Sequence, residues 1–553
     1  MKQSLINVST FFVLIWFLGL WFILSNKNFI QSNNQTIRCD QNEIKILKQR
    51  IKEAEKHLNH LEIKNRENEI IIRSLKYKAK FLYKNSNGIN WINSDRYPSE
   101  KFEGLRRKIF DDIKDLSYFV KNNLLKLKND SLLGKKISLI EPNFQDRIDF
   151  LLIQLGNLSN SDNLGEWRRM ESEFLALELQ KEFYQLQNPS DCDRQKKVIC
   201  DLNKSCGFGC QMHHVMYCFI TSYFLNRTLI LDSAGWRYNS DGFEAYFRPL
   251  SEKCIKINEY GVEWNGNQYE TADVIRLPII DMVTQKPEFF PLSIPKKYMD
   301  TLSRFHGDPF VWWAGQILSY LMRFNQKFSK IVEDRQKKSG FLRPCVGVHV
   351  RRTDKIGTEA SFHDLNEYMN HVKKFFDLRD LEKSKKHLRR VYLATDDFSV
   401  IKEAKEKYPN YNFIMDELNA QTASLNNRYS PESAQGIILD IYFLSQCDFL
   451  VCTLSSQVCR IAYEIQQTRY PDGSWRFKSL DDIYYFGGQL RQNVIAVLDH
   501  IPNTDLGEIE LRKGDLVEIA GNHWDGYSKG KNLRTLKDGI FPSYKVKKTI
   551  DSF

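Results

Sequence analysis

The chain has 553 residues, of which 42% are hydrophobic and 13% are aromatic, which is enough for several domains with apolar cores. Its formal net charge is +11, and the basic residues are spread along the sequence and not gathered in one tail. This distribution argues against a nucleic-acid-binding arm and favours partners that carry small anionic groups.

The first element is an uncharged hydrophobic segment at the N-terminus. Residues 11–24 contain no charge, and with Leu5 and Ile6 the segment reaches roughly the 20 residues that span a bilayer. A cleaved signal peptide is the alternative, but residues 25–29 offer no good cleavage site. We therefore predict a cytoplasmic tail over 1–5, an uncleaved signal-anchor helix over 6–25 and a lumenal body, since Lys2 favours a cytoplasmic N-terminus.

Two further features favour the lumenal body. Beyond the predicted anchor, five sequons are possible glycan sites, at Asn34, Asn129, Asn157, Asn203 and Asn226. Eight cysteines lie in two clusters whose density suits disulfides in an oxidising compartment: Cys192, Cys200, Cys206, Cys210, Cys218, Cys254, Cys452 and Cys459. Zinc is the alternative, but the sequence has no Cys-x-x-Cys pair, and we predict no metal. Cys345 and Cys447 lie in apolar runs typical of core thiols, and the role of Cys39 stays open.

After the anchor, apolar residues recur at steps of three and four from Ile44 to Leu75, with Asn65 and Asn68 at two core positions. This heptad pattern predicts a stem with a coiled coil over 26–100 that joins two copies of the chain. A single amphipathic helix packed on the body is the alternative. A helical region follows over 101–190.

From residue 198 onward, strands alternate with helices. The first set comprises a strand over 198–200, a helix over 211–225 and a strand over 228–231, and we assign it to an N-terminal lobe over 191–345. A second set has strands at 346–350, 391–394, 411–415 and 449–451, with helices at 365–378, 400–408, 432–446 and 456–467. The alternation predicts parallel sheets covered by helices, with a Rossmann-like half over 346–490.

The tail, over 500–550, lacks the alternation of strands and helices. Short strands between Gly514 and Val546 end in a Phe-Pro-Ser-Tyr turn and resemble an SH3-like β-barrel. One tryptophan stands where SH3 domains usually have a pair, so binding of proline-rich peptides is doubtful.

The most informative motif is the end of the strand over 346–350. In an open α/β sheet, ligands bind beyond the carboxyl ends of the strands, and there this strand presents Arg351 and Arg352. Guanidinium groups match phosphate oxygens through paired hydrogen bonds. A salt-bridged strand end is the alternative interpretation.

Two other loops suit the same ligand. Residues 453–457 begin a helix whose backbone amides and hydroxyls can hold an anion, although capping alone would also account for Ser455 and Ser456. In the other lobe, Gly207 and Gly209 allow the backbone to approach a phosphate, and the flanking cysteines could lock the loop. Two phosphate-suited loops on facing halves predict a cleft for a nucleoside diphosphate.

Other ionisable residues have more than one interpretation. Asp440 could hold the N–H edge of a guanine or lie on a solvated helix face. His213 and His214 are about 100° apart on a helix and would not chelate one ion. The Asp-Cys-Asp sequence at 191–193 formally matches a metal-binding motif of sugar transferases, but its setting favours a disulfide loop. Asp396 and Asp397 follow a strand and are suited to capping a helix.

The residues from His349 to Lys355 match the His-x-Arg-Arg-x-Asp motif of GDP-fucose transferases. Longer stretches resemble the α-1,6-fucosyltransferases that modify the core of N-glycans, at 206–211, 236–238, 306–313, 392–397, 481–489 and 521–530. The likeness covers nearly the whole chain. It implies a two-lobed GT-B-like catalytic region between a coiled-coil stem and an SH3-like domain.

The resemblance implies that fucose passes from GDP-β-L-fucose to O6 of the asparagine-linked N-acetylglucosamine, with inversion. Because the candidate ion-binding residues above do not fit a metal site, we also predict no essential divalent metal. It also implies a single-pass type II protein of the Golgi membrane, with N-glycoproteins as acceptors and a homodimer through the stem. The implied catalytic residues are Arg351, Lys355 and Glu359, with Glu359 as the base. The implied donor contacts are His349, Arg351, Arg352, Gly207, Gly209, Cys210, Tyr238, Asp440, Ser456, Gln457 and Val458. The implied acceptor contacts are Lys204, Asp281, Asp482, Tyr485, Gln489 and His523.

The resemblance also implies four disulfides, which pair Cys192 with Cys254, Cys200 with Cys218, Cys206 with Cys210 and Cys452 with Cys459. One sequon departs from this picture, because Asn203 adjoins Lys204 and a glycan there would obstruct the cleft. We therefore predict that Asn203 stays unmodified.

Two rival functions are weighed against this hypothesis. A membrane-tethered SH3 adaptor or glycan-binding protein without catalysis would function normally after Arg351→Ala. A fucosyltransferase that acts on protein hydroxyls or galactose shares the arginine motif, but the tail and the stretch at 481–489 argue against it.

Overall fold

The computed structural model describes residue 49 and residues 99–128, 134–162, 164–255, 260–290, 292–353, 361–423, 428–486, 493–522 and 524–553. All the features below lie in the compact unit Arg73–Phe553. The predicted anchor over 6–25 and nearly all of the predicted stem lie outside the described residues. Within the described ranges, no helix combines the length and the apolar character needed to cross a membrane.

Three long helices precede the first strand: α1 (Glu100–Lys128), α2 (Gly134–Ser161) and α3 (Gly165–Gln187). They are joined by a buried charge network around Glu103, which is fully buried and accepts from Arg168 at 2.6 Å and from Arg106. A buried carboxylate needs such partners, because burial without them would cost several kcal/mol. The helices also contact the body, where Arg107 donates to the carbonyl oxygen of Ser303.

The first lobe contains a parallel sheet in the order β2-β1-β4-β3. Its strands are β1 (Lys197–Asp201), β2 (Thr228–Asp232), β3 (Val262–Glu263) and β4 (Val274–Arg276). Helix α4 (Phe208–Phe224) connects β1 to β2, and three more helices follow: α5 (Lys296–Phe305), α6 (Pro309–Leu321) and α7 (Gln326–Ser339). Trp312 and Trp313 on α6 are fully buried in the core of this lobe. The predicted α/β alternation is confirmed here.

The second lobe is a five-stranded parallel sheet in the order β7-β6-β5-β8-β9. Its strands are β5 (Cys345–Val350), β6 (Arg390–Thr395), β7 (Asn412–Ile414), β8 (Phe449–Cys452) and β9 (Phe477–Ser479). Its helices are α8 (Leu365–Lys383), α9 (Phe398–Lys407), α10 (Glu417–Thr422), α11 (Pro431–Gln446) and α12 (Gln457–Gln467). The order reverses at β5, where doubly wound sheets bind nucleotides. Strand β9 was not among the predicted strands.

The tail forms a five-stranded antiparallel sheet in the order β13-β12-β11-β10-β14. Its strands are β10 (Asn493–Ala496), β11 (Leu516–Asn522), β12 (Tyr527–Asn532), β13 (Asp538–Pro542) and β14 (Val546–Lys548). The predicted start at residue 500 was therefore wrong, because β10 begins earlier and buries Val494 and Ala496 in the core of the tail.

All eight clustered cysteines form disulfides, with the partners that the resemblance implies. The pairs are Cys192–Cys254, Cys200–Cys218, Cys206–Cys210 and Cys452–Cys459. Cys345 and Cys447 are free and buried, as expected of core thiols. The Asp-Cys-Asp sequence at 191–193 belongs to the loop that the first disulfide closes.

Candidate functional site

The two lobes meet where the N-termini of α4 and α12 approach each other. A Cβ atom added to Gly209 would lie 2.9 Å from Cβ of Gln457 and 3.1 Å from the backbone nitrogen of Val458. Only glycine allows this approach. The structure therefore brings together the glycine loop and the helix start that the sequence places in one cleft, with both helix N-termini at the contact.

Strand alternation decides which arginine faces the cleft. Val346, Val348 and Val350 pack into the cluster with α8 and α9, whereas Cys345 packs into the cluster shared with the first lobe. Successive side chains of a strand point to opposite faces. Arg351 therefore follows the face of Cys345, and Arg352 follows the face of the valines.

The contacts of Arg352 agree with this parity. Its guanidinium lies 3.5 Å from the carboxylate of Glu403 on α9 and 3.9 Å from that of Asp397, and it stacks on Phe362. The structure thus directs the Arg352 side chain toward α9, away from the lobe contact. Its predicted donor role stays a prediction.

Asp396 fixes the loop that carries both arginines. Its carboxylate accepts from the backbone nitrogens of Arg352 at 2.8 Å and Thr353 at 3.1 Å, and from the Thr353 hydroxyl. It also pairs with the guanidinium of Arg351 at 3.0 Å. We call this arrangement the Asp396 clamp. Of the two aspartates expected to cap a helix, only Asp397 caps α9, through the backbone nitrogen of Ser399.

His349 lies on the face of β5 that Arg351 follows. It is buried, and burial together with the Arg351 charge lowers its pKa to about 4, although Asp396 opposes the shift. Within the described residues, its Nδ1 atom is buried and has no hydrogen-bond partner. A neutral imidazole can donate one hydrogen bond to an anion without adding a second buried charge.

The predicted anion nest at the start of α12 is partly occupied by the protein itself. The carboxylate of Asp481 accepts from the backbone nitrogens of Leu454 at 2.7 Å and Ser455 at 3.3 Å. These amides are therefore bound to an acid that the sequence interpretation did not assign to them. The first helical amides, beginning at Gln457, have no partner inside the helix and remain suited to an anion.

Asp440, on α11, is tied to neighbouring side chains. Its Oδ1 atom accepts from the hydroxyl of Tyr392 at 2.8 Å and from the amide of Asn419 at 3.1 Å. Burial raises its pKa to about 6, and the two hydrogen bonds counteract part of that effect. Asp440 is half-buried, and with these two partners its carboxyl group is not freely solvated as it would be on an open helix face.

A buried polar network connects α4, α12 and the segment after β9. His213 contacts Oε1 of Gln457 at 2.8 Å through Nδ1 and the carboxylate of Glu464 through Nε2. Glu464 is fully buried and also accepts from the Tyr484 hydroxyl at 2.6 Å. His213 and His214 are both buried, so neither lies on a solvated surface. The network orients Gln457, one of the predicted donor contacts.

Tyr238 and Cys210 stabilise the glycine loop. The hydroxyl of Tyr238 accepts from the backbone nitrogen of Phe208 at 2.8 Å, and the Tyr238 ring is buried. This caps one of the unpaired amides at the start of α4. Cys210 is bonded to Cys206 across the loop.

Four of the predicted acceptor residues are described by the structure, two in each lobe. Asp281 is exposed and favours the charged form of Lys204, whose pKa burial lowers. Burial raises the pKa of Asp482, which lies beside β11 of the tail: a Cβ on Gly521 would be 3.6 Å from its Oδ1. Tyr485 accepts at its carbonyl from Arg460 at 2.8 Å.

The tail contacts this region through Trp524, whose Nε1 donates to the carbonyl oxygen of Asp481 at 2.8 Å. Lys478 lies over the same indole at 3.9 Å. Four predicted site residues, however, lie outside the described residues: Lys355, Glu359, Gln489 and His523.

One cluster has the composition of a metal site. Ligand atoms of Cys200, His214 and Cys218 lie within 4.8 Å of one another. The two cysteines form a disulfide, so neither sulfur is a thiolate. Burial lowers the pKa of His214 to about 4. This cluster therefore does not have the donors that a metal requires.

Comparisons with known proteins agree on one family. A family model described as alpha-(1,6)-fucosyltransferase N- and catalytic domains matches residues 1–485. An alpha-(1,6)-fucosyltransferase of Drosophila melanogaster is 45% identical over 466 residues, which cover 82% of this chain and 74% of that protein. One of Caenorhabditis elegans is 41% identical over 451 residues, covering 80% and 78%. Among solved structures, NodZ alpha-1,6-fucosyltransferase soaked with GDP-fucose is 13% identical with a TM-score of 0.32, covering 49% of this chain and 92% of that one.

The parallel-sheet lobes and the matches to named enzymes define a glycosyltransferase. The chain belongs to the alpha-(1,6)-fucosyltransferase family.

Proposed function

We propose that the chain transfers fucose from GDP-β-L-fucose to O6 of the asparagine-linked N-acetylglucosamine of N-glycans, with inversion and without a metal ion. In this reaction the acceptor O6 attacks the anomeric carbon as the bond to the β-phosphate breaks. Negative charge grows on the phosphate, and the O6 proton must pass to a base. The family supports the fucosyl transfer, and the arrangement around β5 supports the donor.

The observation that carries the donor assignment is the ion pair that fixes Arg351 at the carboxyl end of β5. Its guanidinium is held at 3.0 Å by Asp396 and follows the face shared with His349. A fixed cation that needs no reorganisation stabilises a departing phosphate strongly. His349 would donate to the same phosphate, the amides that begin α4 and α12 would neutralise the pyrophosphate, and Asp440 would accept from the guanine.

On the acceptor side we assign the proton to Glu359, with Lys355 nearby, because a sugar hydroxyl needs a positioned carboxylate to lose its proton. Lys204, Asp281, Asp482, Tyr485, Gln489 and His523 would hold the glycan. The hydrogen bond from Trp524 to Asp481 supports a role of the tail in this site, since it ties the residue after His523 to the residue before Asp482.

We further propose that residues 493–553 form an SH3-like barrel, that the lobes form a GT-B-like pair, and that the protein is a type II protein of the Golgi membrane which dimerises through its stem. The antiparallel order of the tail strands supports the barrel, and the four disulfides support an oxidising, lumenal compartment.

The test is an assay of the purified lumenal portion with GDP-fucose and a defined N-glycopeptide, with and without EDTA. We expect a new fucose on O6 of the innermost N-acetylglucosamine in both reactions. Transfer to another hydroxyl, or loss of transfer in EDTA that added divalent metal restores, would contradict the proposal.

The role proposed for Asp440 predicts that binding of GDP-fucose weakens at acidic pH. A guanine N–H requires the ionised carboxylate, and the pKa of Asp440 is about 6. Below pH 6 we therefore expect the KM for GDP-fucose to rise about tenfold per pH unit, since protonation removes the acceptor. The measurement is KM between pH 8 and pH 5. Asp440→Asn should raise KM at every pH and flatten this dependence; a KM that stays constant in the native enzyme would refute the role.

Substitution of Trp524 is expected to weaken binding of the acceptor glycopeptide modestly. Trp524→Phe keeps an aromatic ring over Lys478 but removes the hydrogen bond to Asp481. We expect the KM for the glycopeptide to rise about fivefold, which corresponds to one hydrogen bond of about 1 kcal/mol, while the KM for GDP-fucose stays unchanged. Trp475→Phe, at a partly exposed ring that packs edge-on against Phe110, is the matched control. If both variants changed the KM for the glycopeptide equally, the tail would have no specific role in binding the acceptor.

A further inference from the structure

A polar groove of about 320 Å³ lies between the end of α3 and the first lobe, beside the C-terminal end of α4. It is lined by Glu182, Gln185, Leu186, Pro189, Gln195 and Asn226. Its distance from the cleft follows from α4, which begins after Gly207 and ends at Phe224. The helix has 17 residues and is therefore about 25 Å long. The groove is a separate feature of the surface.

The two ends of α4 each adjoin a sequon, and the fold treats these two asparagines differently. The side-chain amide of Asn203 donates to the carbonyl oxygens of Ala234 and Gly235, and its Oδ1 accepts from the backbone nitrogen of Arg237 at 3.3 Å. A sugar on this nitrogen would displace at least one of these bonds and stand beside Lys204, at the cleft end of the helix.

Asn226 has the opposite setting. It is exposed, it lines the groove, and its φ of 51° places it in the left-handed turn between α4 and β2. Asparagine tolerates this conformation better than most residues. Thr228, the third residue of the sequon, is buried and donates to the carbonyl oxygen of Leu186. Attachment must therefore precede folding, while the hydroxyl of Thr228 is still accessible.

The groove offers the contacts that a sugar ring uses. Gln185 is exposed, and the amide of Gln195 already donates to the carbonyl oxygen of Asn226 at 3.2 Å, so it lies beside the attachment point. Leu186 and Pro189 supply an apolar surface for the ring face. Glu182 is held by Lys297 and Tyr298, which fixes one wall of the groove.

We propose that Asn226 carries an N-linked glycan whose first N-acetylglucosamine lies in this groove, and that Asn203 stays bare. In the attachment step, Nδ2 of Asn226 forms a bond to the anomeric carbon of a lipid-linked oligosaccharide. The bond from that carbon to the lipid pyrophosphate breaks, and Nδ2 loses one proton to the transferring enzyme. The inference rests on the lumenal location under the proposed function.

The experiment uses the full chain produced in a eukaryotic secretory host, with glycopeptides mapped by mass spectrometry. Each occupied site is then challenged with a peptide N-glycosidase on the folded protein. We expect occupancy at Asn226 and none at Asn203. We also expect release at Asn226 to be about fivefold slower than at Asn157, the factor that one ordinary hydrogen bond gives, because Asn157 lies exposed on α2. Gln195→Ala should abolish this difference.

Asn226→Asp removes the sequon and keeps a residue that accepts a positive φ. We expect this variant to lose one glycan and to retain fucosyl transfer. A bare Asn226 beside an occupied Asn157, a modified Asn203, or equal release rates at Asn226 and Asn157 would overturn the inference while leaving the transfer assay untouched. If every sequon is bare but transfer is intact, the inference fails together with the lumenal location, and the enzymatic assignment stands.

Discussion

Arg351→Lys is expected to lower kcat for fucosyl transfer by about 100-fold or more, the usual effect of removing one preorganised donor from a developing anion. Lysine keeps the charge but loses the planar fork that can bind the Asp396 carboxylate and a phosphate at once. Steady-state kinetics with saturating glycopeptide measure the effect. Because the contribution of Arg351 grows as the phosphate departs, kcat should fall more than KM rises.

The neighbouring arginine provides the matched control. Arg352→Lys makes the same chemical change one residue away, where the side chain faces Glu403 and Phe362. We expect it to retain most of the transfer activity, with a loss below about tenfold, because lysine keeps the positive charge beside Glu403 and this side chain faces α9. If both variants were equally active, or if Arg352→Lys were the more damaging, the assignment of the phosphate to Arg351 would be wrong.

Asp396→Asn is expected to reduce both stability and turnover. Asparagine can still accept at one atom, but its amide group would face the Thr353 hydroxyl and the guanidinium of Arg351, which donate in the native clamp. Breaking a buried charge pair costs about 3 kcal/mol. Loosening the loop should also lower kcat/KM about 100-fold, because misplacement of a catalytic group by about 1 Å has an effect of that size.

Two measurements separate the two effects. Thermal unfolding reports the loss of stability, and kinetics at a temperature where the variant is fully folded report the loss of positioning. Glu403→Gln removes an acid from the same neighbourhood but leaves the clamp intact. We expect it to change kcat/KM less than about threefold, because the contact of Glu403 with Arg352, at 3.5 Å, is a weak one and lies on α9, outside the clamp. A folded Asp396→Asn enzyme with native kcat would show that the clamp is structural only.

The regular elements of the second lobe could be predicted because their apolar runs are long and punctuated by turn residues. Strand β9 could not, since its three residues include Lys478 and its pairing with β8 depends on the folded sheet. Strand β10 was missed for a related reason. It pairs with β11 and β14 across the whole tail, and nothing local in Asn493–Ala496 separates it from a linker.

In the candidate site, too, some features could be predicted from the local sequence and others depend on the folded structure. The sequence identifies the arginine motif, but β5 is buried on both faces, so periodicity alone does not tell which arginine faces the other lobe. The clamp depends on the register that pairs Val350 with Thr395, which sets Arg351 beside Asp396. The bond from Asp481 to the amides at 454 and 455 joins residues 26 and 27 positions apart. Such contacts are set by tertiary structure and leave no local signal.

The last residues of the chain have a consequence for how the protein unfolds. After the tail sheet, the backbone nitrogen of Phe553 donates to the carbonyl oxygen of Ile294, and the backbone nitrogen of Ile294 donates to the carbonyl oxygen of Asp551. The Phe553 ring also packs against Phe289. The tail is also bonded to α1, where Lys108 donates to the carbonyl oxygen of Tyr544. Because the tail is bonded to α1 and to the segment before α5, we expect it to unfold together with these elements and not as a separate unit.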